Sequence, residues 1–171
     1  MATSSVRVLV VDDFEPFRRF VGSVLQELPA VQVICEASDG LKAVQKAEEL
    51  QPDLIMLDLG LPKLNGLEAA RQIRQLSPNS KILFLSQESS ADVVQEALGL
   101  GAFAYVVKSD AGSELLTAVC AVLRGEKFVG RRFAGHDSTP SSDAPASESG
   151  RQNRATRTLS SIRFKRTSAG G

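Results

Sequence analysis

Apolar positions along the first 128 residues switch repeatedly between two spacings. Short continuous runs alternate with stretches where apolar residues recur every three or four positions, the mark of buried strands followed by amphipathic helices. "VRVLVV" (6–11) is strand-like, after which Phe17, Phe20, Val21, Val24, Leu25 and Leu28 fall at helical spacing and Pro29 closes the segment. "VQVICEA" (31–37) reads as a second strand, and Ala43, Val44, Ala47 and Leu50 mark a helix ended by Pro52. "DLIMLD" (53–58) is apolar through its middle, as a strand covered on both faces should be. "NGLEAARQIRQL" (65–76) reads as a helix that Asn65 can cap, with Glu68 completing a capping-box-like pair. "KILFLS" (81–86) is the fourth strand; Val93, Val94, Ala97 and Leu98 give the next helical stripe, ended near Gly99 to Gly101. "FAYVV" (103–107) is the fifth strand, and Leu115, Leu116, Val119, Val122 and Leu123 mark a fifth helix ended by Gly125.

Five strand–helix units in series predict a parallel sheet with helices on both faces. Right-handed crossovers make this a doubly wound α/β domain over residues 5–128. Beyond it the periodicity stops. Residues 129–150 contain "GHDSTPSSDAPASESG", rich in Ser, Pro and Ala, which reads as a disordered linker. Residues 151–171 form a basic tail with six basic and no acidic residues, and too few large apolar side chains for a core. His136, the sole histidine, falls in the linker.

The charge balance sharpens this division. Net charge is zero, but residues 1–130 carry 12 basic against 17 acidic residues (−5), and residues 131–171 carry 8 against 3 (+5). No apolar run approaches the roughly 18 residues of a membrane span, and "MATSSVRVLVV" lacks the features of a secretory signal, so no membrane partner and a cytoplasmic location are expected. Cys35 and Cys120 sit inside apolar patterns without a CxxC pair and read as buried free thiols.

The chemistry lies at the strand ends. Strand one ends in Asp12 and Asp13, strand three in Asp58, strand four in Ser86 and strand five in Lys108. In an open parallel sheet the carboxyl ends share one edge, where ligands bind. Three carboxylates together need a cation, and hard oxygen ligands suit Mg2+. With a hydroxyl and an ammonium beside them, the set suits phosphate chemistry, in which a carboxylate can itself accept the phosphoryl group. Asp58, between the acidic pair and Ser86/Lys108, is placed for that. Each residue alone has a plainer reading: Asp12 with Glu15 as a helix capping box, Asp58 and Ser86 as turn residues, Lys108 as a solvated lysine, Tyr105 as a packing residue.

Taken in order, "VVDD", "DLIMLDLGLPKLNG", "FLS" and "AYVVKS" resemble the response-regulator receiver domain of bacterial two-component signalling, over roughly residues 5–128. The resemblance implies a flavodoxin-like five-stranded sheet of order 2-1-3-4-5. It implies that Asp58 is phosphorylated by a sensor histidine kinase in a phosphorelay, as an aspartyl phosphate. Asp13 would bind magnesium directly and Asp12 through water, with Asp58 and the Gly60 backbone carbonyl as further ligands. Ser86 and Lys108 would contact the phosphoryl group, and Tyr105 would swing inward as an aromatic switch. The fourth helix, fifth strand and fifth helix would form the signalling face, also a surface for a phosphorylation-dependent dimer. A receiver catalyses its own phosphorylation and hydrolysis, but the kinase is the enzyme by convention.

Ser109 replaces the proline that many relatives have after the lysine, which points to receivers usually fused to a LuxR-type helix-turn-helix, here without that output domain. Leu61 stands where Met often precedes the proline, Gln87 where a small residue is common, and Gly60 and Glu88 at positions that tune phosphoryl lifetime. Phosphatases resembling the haloacid dehalogenase group want a second acid where Gly60 stands, and a nucleotide site wants glycines where "DDFEPF" has none. The alternative is a transcriptional regulator or nucleic-acid contact through residues 151–171; a solvated tail is favoured.

Overall fold

The structure, a computed structural model, describes residues 4–135. Six strands form one parallel sheet: β1 (Val6–Val11), β2 (Val31–Ala37), β3 (Leu54–Leu57), β4 (Lys81–Ser86), β5 (Ala104–Val107) and β6 (Phe128–Val129). Their order is β2-β1-β3-β4-β5-β6. The expected order holds for the first five, but the sheet has six strands, not five. The addition is a two-residue pairing, Ala104 with Phe128 and Tyr105 with Val129, too short to leave a periodic signal in sequence.

Five helices connect the strands: α1 (Glu15–Leu25), α2 (Gly40–Leu50), α3 (Gly66–Leu76), α4 (Ala91–Gly99) and α5 (Ala111–Leu123). Alternation along the strands divides the core in two. Leu9, Val11, Ile55, Leu57 and Phe84 pack on the side of α2, α3 and α4. Val8, Val10, Leu54, Met56 and Leu83 pack on the side of α1 and α5. All four residues of β3 are buried, which explains its continuous apolar run.

Asn65 caps α3 by accepting from the Glu68 backbone N–H at 2.9 Å, while the Glu68 carboxylate turns to Arg71 instead of closing the capping box. α2 is capped by Asp39, which accepts from the Lys42 N–H at 2.8 Å, and ends on Gln51 in a left-handed conformation before Pro52. Cys35 and Cys120 are free but only half-buried, because β2 lies at the edge of the sheet and α5 keeps one side toward solvent. Ordered chain continues past residue 128 through a 3-10 turn at Arg131–Phe133. His136, the rest of the expected linker and the basic tail lie outside the described residues.

Candidate functional site

Order reverses between β1 and β3, neighbours from which the chain winds outward in opposite directions. Such a point leaves a crevice at the carboxyl ends of the strands. Asp12 and Asp13 follow β1, Asp58 follows β3, Ser86 closes β4 and Lys108 follows β5. One oxygen from each of the three carboxylates lies within 4.8 Å of the others. A cleft of about 1100 Å³ is lined by Asp13, Asp58, Gly60, Ser86, Lys108 and Phe17.

Backbone bonds fix Asp58. Its N–H donates to the Val11 carbonyl at 3.0 Å, continuing the β1–β3 ladder past the end of β3. Its Oδ1 accepts from the Gly60 N–H at 3.2 Å. Gly66, at the start of α3, passes so close to the Asp58 carbonyl oxygen that a Cβ there would collide with it. Only glycine lets the helix start that near the carboxylate's own backbone.

Asp12 and Asp13 have different surroundings. Asp12 is 2 % exposed, and both of its oxygens are engaged. Oδ1 accepts from the Phe14 N–H at 2.9 Å, and Oδ2 lies 2.6 Å from the Lys108 Nζ. Helix α1 starts after Phe14 without a side-chain cap, and Glu15 pairs with Arg19, so no Asp12–Glu15 capping box forms. Asp13 is exposed and lines the cleft.

Lys108 bridges the two buried carboxylates, with its Nζ also 3.1 Å from Asp58 Oδ2. Burial opposes the ammonium, but the hydrogen bond to Asp12 and the charges of Asp58 and Asp12 outweigh it and hold the pKa above the ordinary lysine value. Burial pushes the Asp58 pKa up; Lys108 pulls against that, and the neighbouring Asp12 charge adds to the rise. One ammonium thus serves two buried acids, and at Asp58 it does not offset the burial.

Ser86 is buried, and its Oγ accepts from the Glu88 N–H at 3.1 Å. Tyr105 is fully buried, and its hydroxyl donates to the Glu88 carbonyl at 2.8 Å. Glu88 therefore joins Ser86 to Tyr105 through its backbone, while its carboxylate accepts from the N–H groups of Ser89 and Ser90 ahead of α4. Two roles escaped the sequence reading: this bridging by Glu88, and that of Phe17. By spacing Phe17 belongs to a helical stripe, but its ring centroid lies 4.7 Å from the Lys108 Nζ, in cation–π range. Its place one helical turn after Asp13 was the available signal.

An all-oxygen donor set, with two acids buried and one exposed and unpaired among the described residues, fits a hard divalent cation of the Mg2+ type. Asp13, Asp58 and an oxygen from the adjoining loop at Gly60 would hold it.

Residues 8–120 match the response regulator receiver domain, and the chain belongs to that family. It is 35% identical over 130 residues to the transcriptional regulatory protein LiaR of Bacillus subtilis, covering 76% of this chain and 62% of that protein. It is 40% identical over 116 residues to a protein-glutamate methylesterase/protein-glutamine glutaminase of Koribacter versatilis, covering 67% of this chain and 32% of the relative. Among solved structures, a LuxR-family two-component response regulator from Aurantimonas superposes with a TM-score of 0.73 at 32% identity, covering 77% of this chain and 94% of that one. The chain thus spans less than two thirds of the length of these curated relatives. The fold is flavodoxin-like, and the matched structures include a LuxR-family two-component response regulator and the receiver domain of the putative response regulator NarL from Mycobacterium tuberculosis. Among the described residues no helix is long and apolar enough to cross a membrane.

Proposed function

We propose that this chain is the phosphoacceptor switch of a two-component phosphorelay, taking a phosphoryl group on Asp58 from a sensor histidine kinase in the cytoplasm. The observation that carries the reading is the convergence of Asp12, Asp13, Asp58 and Lys108 on one crevice in a chain of the receiver family. An Asp58 carboxylate oxygen attacks phosphorus as the N–P bond of the donor phosphohistidine breaks, and the imidazole nitrogen leaves with the electron pair. A bound Mg2+ would supply charge neutralisation for the phosphoryl oxygens.

This chain's own residues do the rest. The ladder bond to Val11 and the Gly60 N–H orient the acceptor carboxylate. Asp13, Asp58 and the Gly60 carbonyl would hold the metal, and Asp12, engaged by the Phe14 N–H and Lys108, would act on it through water. Lys108 exchanges part of its carboxylate contacts for a phosphoryl oxygen, and Ser86 donates its hydroxyl to another. Tyr105 then reports the change to the face built by α4, β5 and α5, where a second copy or a partner docks on phosphorylation. The chain's share of catalysis is its own phosphorylation and hydrolysis. The switch body begins at residue 5 and runs past residue 128 to take in β6 and the turn at Arg131–Phe133, with the rest of 129–150 as linker and 151–171 as a basic tail; contact of that tail with nucleic acid is the second reading, favoured by its six basic residues.

Acetyl phosphate with Mg2+ tests this. The expected result is a one-phosphoryl mass gain that is acid-stable and base-labile, and absent from Asp58→Ala. No gain in wild type, or the same gain in Asp58→Ala, overturns the reading.

A further inference from the structure

Residues 128–133 lie beyond the stretch that matches the receiver family, which ends at residue 120. They run along the free edge of β5, held at four points. The Phe128 N–H donates to the Phe103 carbonyl at 2.9 Å and the Gly130 N–H to the Tyr105 carbonyl at 3.1 Å. The Arg131 N–H donates to Glu114 Oε1 on α5 at 3.0 Å. Arg132 forks onto Asp110, with Nε 3.0 Å from Oδ2 and Nη2 3.1 Å from Oδ1. Phe133 sets its ring edge-on to Tyr105, centroids 6.2 Å apart at 88°.

Two features make this seat reversible. Glu114 is 5 % exposed, and its Oε2 is the buried side-chain oxygen without a hydrogen-bond partner among the described residues. A buried acceptor left unmade works against the seated state, and water would satisfy it if the strap lifted. That oxygen also lies 2.7 Å from where a Cβ on residue 130 would stand, so a side chain there would push the Glu114 carboxylate aside. Meanwhile the ring against Phe133 belongs to Tyr105, whose hydroxyl is tied to the Glu88 carbonyl, and Glu88 is tied to Ser86. Asp110, which holds Arg132, lies two residues past Lys108.

We propose that residues 128–133 are an intramolecular strap over the β5–α5 edge, seated in the unmodified protein and loosened when Asp58 carries a phosphoryl group. The inference rests on the phosphoacceptor reading and adds the chain's own element as the first thing the switch moves. A shift of Ser86 or Lys108 toward a phosphoryl group changes the Glu88 turn that positions Tyr105 and the Asp110 turn that holds Arg132. Both attachments of the strap are then disturbed at once, and the unpartnered Glu114 Oε2, which water would satisfy, favours release. While seated, the strap covers the β5 edge, so a partner reaches Tyr105 only after it lifts.

The test is backbone amide exchange on the full chain, with and without Mg2+ and beryllofluoride, a phosphoryl mimic. Exchange at Phe128, Gly130 and Arg131 should quicken about tenfold with the mimic, a middling coupling between sites. It should stay unchanged in Asp58→Ala. Bound mimic, seen as slower exchange at Gly60, with unchanged or slower exchange at the strap overturns this inference and leaves the phosphoacceptor reading standing. Failure of the mimic to bind overturns both. A second arm needs no mimic: Tyr105 is the single tyrosine and there is no tryptophan, so intrinsic fluorescence reports on it alone. Arg132→Glu/Phe133→Ala should make that fluorescence about twofold more quenchable by acrylamide, given the loss of one wall of a buried ring. Unchanged quenching overturns the strap.

Discussion

The Lys108 ammonium lies closer to Asp12, at 2.6 Å, than to Asp58, at 3.1 Å. Among the described residues it is the one cation bridging Asp12 and Asp58, and it leans away from the proposed phosphoacceptor. Lys108 and a divalent cation would compete for the same negative charge. Two unit charges 4 Å apart exchange about 4 kcal/mol near a protein surface, and part of that is returned when the ammonium leaves. Lys108→Met should tighten Mg2+ binding roughly tenfold, or ~1.4 kcal/mol, while phosphoryl transfer from acetyl phosphate slows. Calorimetric titration with Mg2+ checks the first effect, and weaker binding in the variant would contradict it.

Asp12 and Asp13 should separate cleanly. Asp13 is exposed and unpaired among the described residues, so Asp13→Asn should lower Mg2+ affinity with stability unchanged within about 0.5 kcal/mol. Asp12→Asn keeps an acceptor for the Phe14 N–H but leaves Lys108 short of a charge partner in a buried setting. Its expected cost is about 1–3 kcal/mol of folding stability, read by urea unfolding. Equal stability losses would remove the distinction.

Close backbone approach under the site gives a third test. A methyl group at Gly66 would meet the Asp58 carbonyl oxygen and come within 2.7 Å of the Leu59 Cα. Gly66→Ala should cost about 1–3 kcal/mol, the usual scale for overpacking, and slow phosphorylation as well. Gly22, on α1, has open space around it. Gly22→Ala should instead stabilise the fold by about 0.5–1 kcal/mol, from helix propensity alone. Thermal unfolding of the pair distinguishes a positional effect from a general one.

The sequence was most informative where a segment answers to itself. β3 is four buried residues flanked by Asp53 and Asp58, and Asn65 caps the helix that follows within its own turn, so both were legible from local pattern. The convergence of Asp12, Asp58, Ser86 and Lys108 could be read because parallel strands must end on one edge. What escaped depends on partners distant in sequence. β6 is two residues long and exists because Tyr105 and Phe103 offer it carbonyls. Arg132 looks like a solvated charge until Asp110 comes into reach, and Arg131, whose side chain is exposed, is held only through its backbone N–H to Glu114. Phe17 completes a helical stripe equally well with or without Lys108 above its ring.

Tyr105 supplies a prediction with a defined pH window. Burial pushes its phenol pKa up to about 12, from an ordinary value near 10. The unfolded chain, with an unperturbed phenol, ionises first as pH rises. Between those two values the unfolded state therefore binds fewer protons than the folded one, and stability falls with rising pH. The contribution from Tyr105 is fully present below about pH 10 and lost through about pH 12, on the order of 2–3 kcal/mol in all. Because it is the sole tyrosine, phenolate absorbance follows this one group in folded and urea-unfolded protein. Tyr105→Phe should unfold with no such loss from the tyrosine across that window, and Arg132→Glu/Phe133→Ala, which uncovers the ring, should bring the phenol back toward its ordinary value. A phenol that titrates near 10 in the folded wild type would mean that the ring is open to water, and with it neither the buried Tyr105 nor the strap above it would stand.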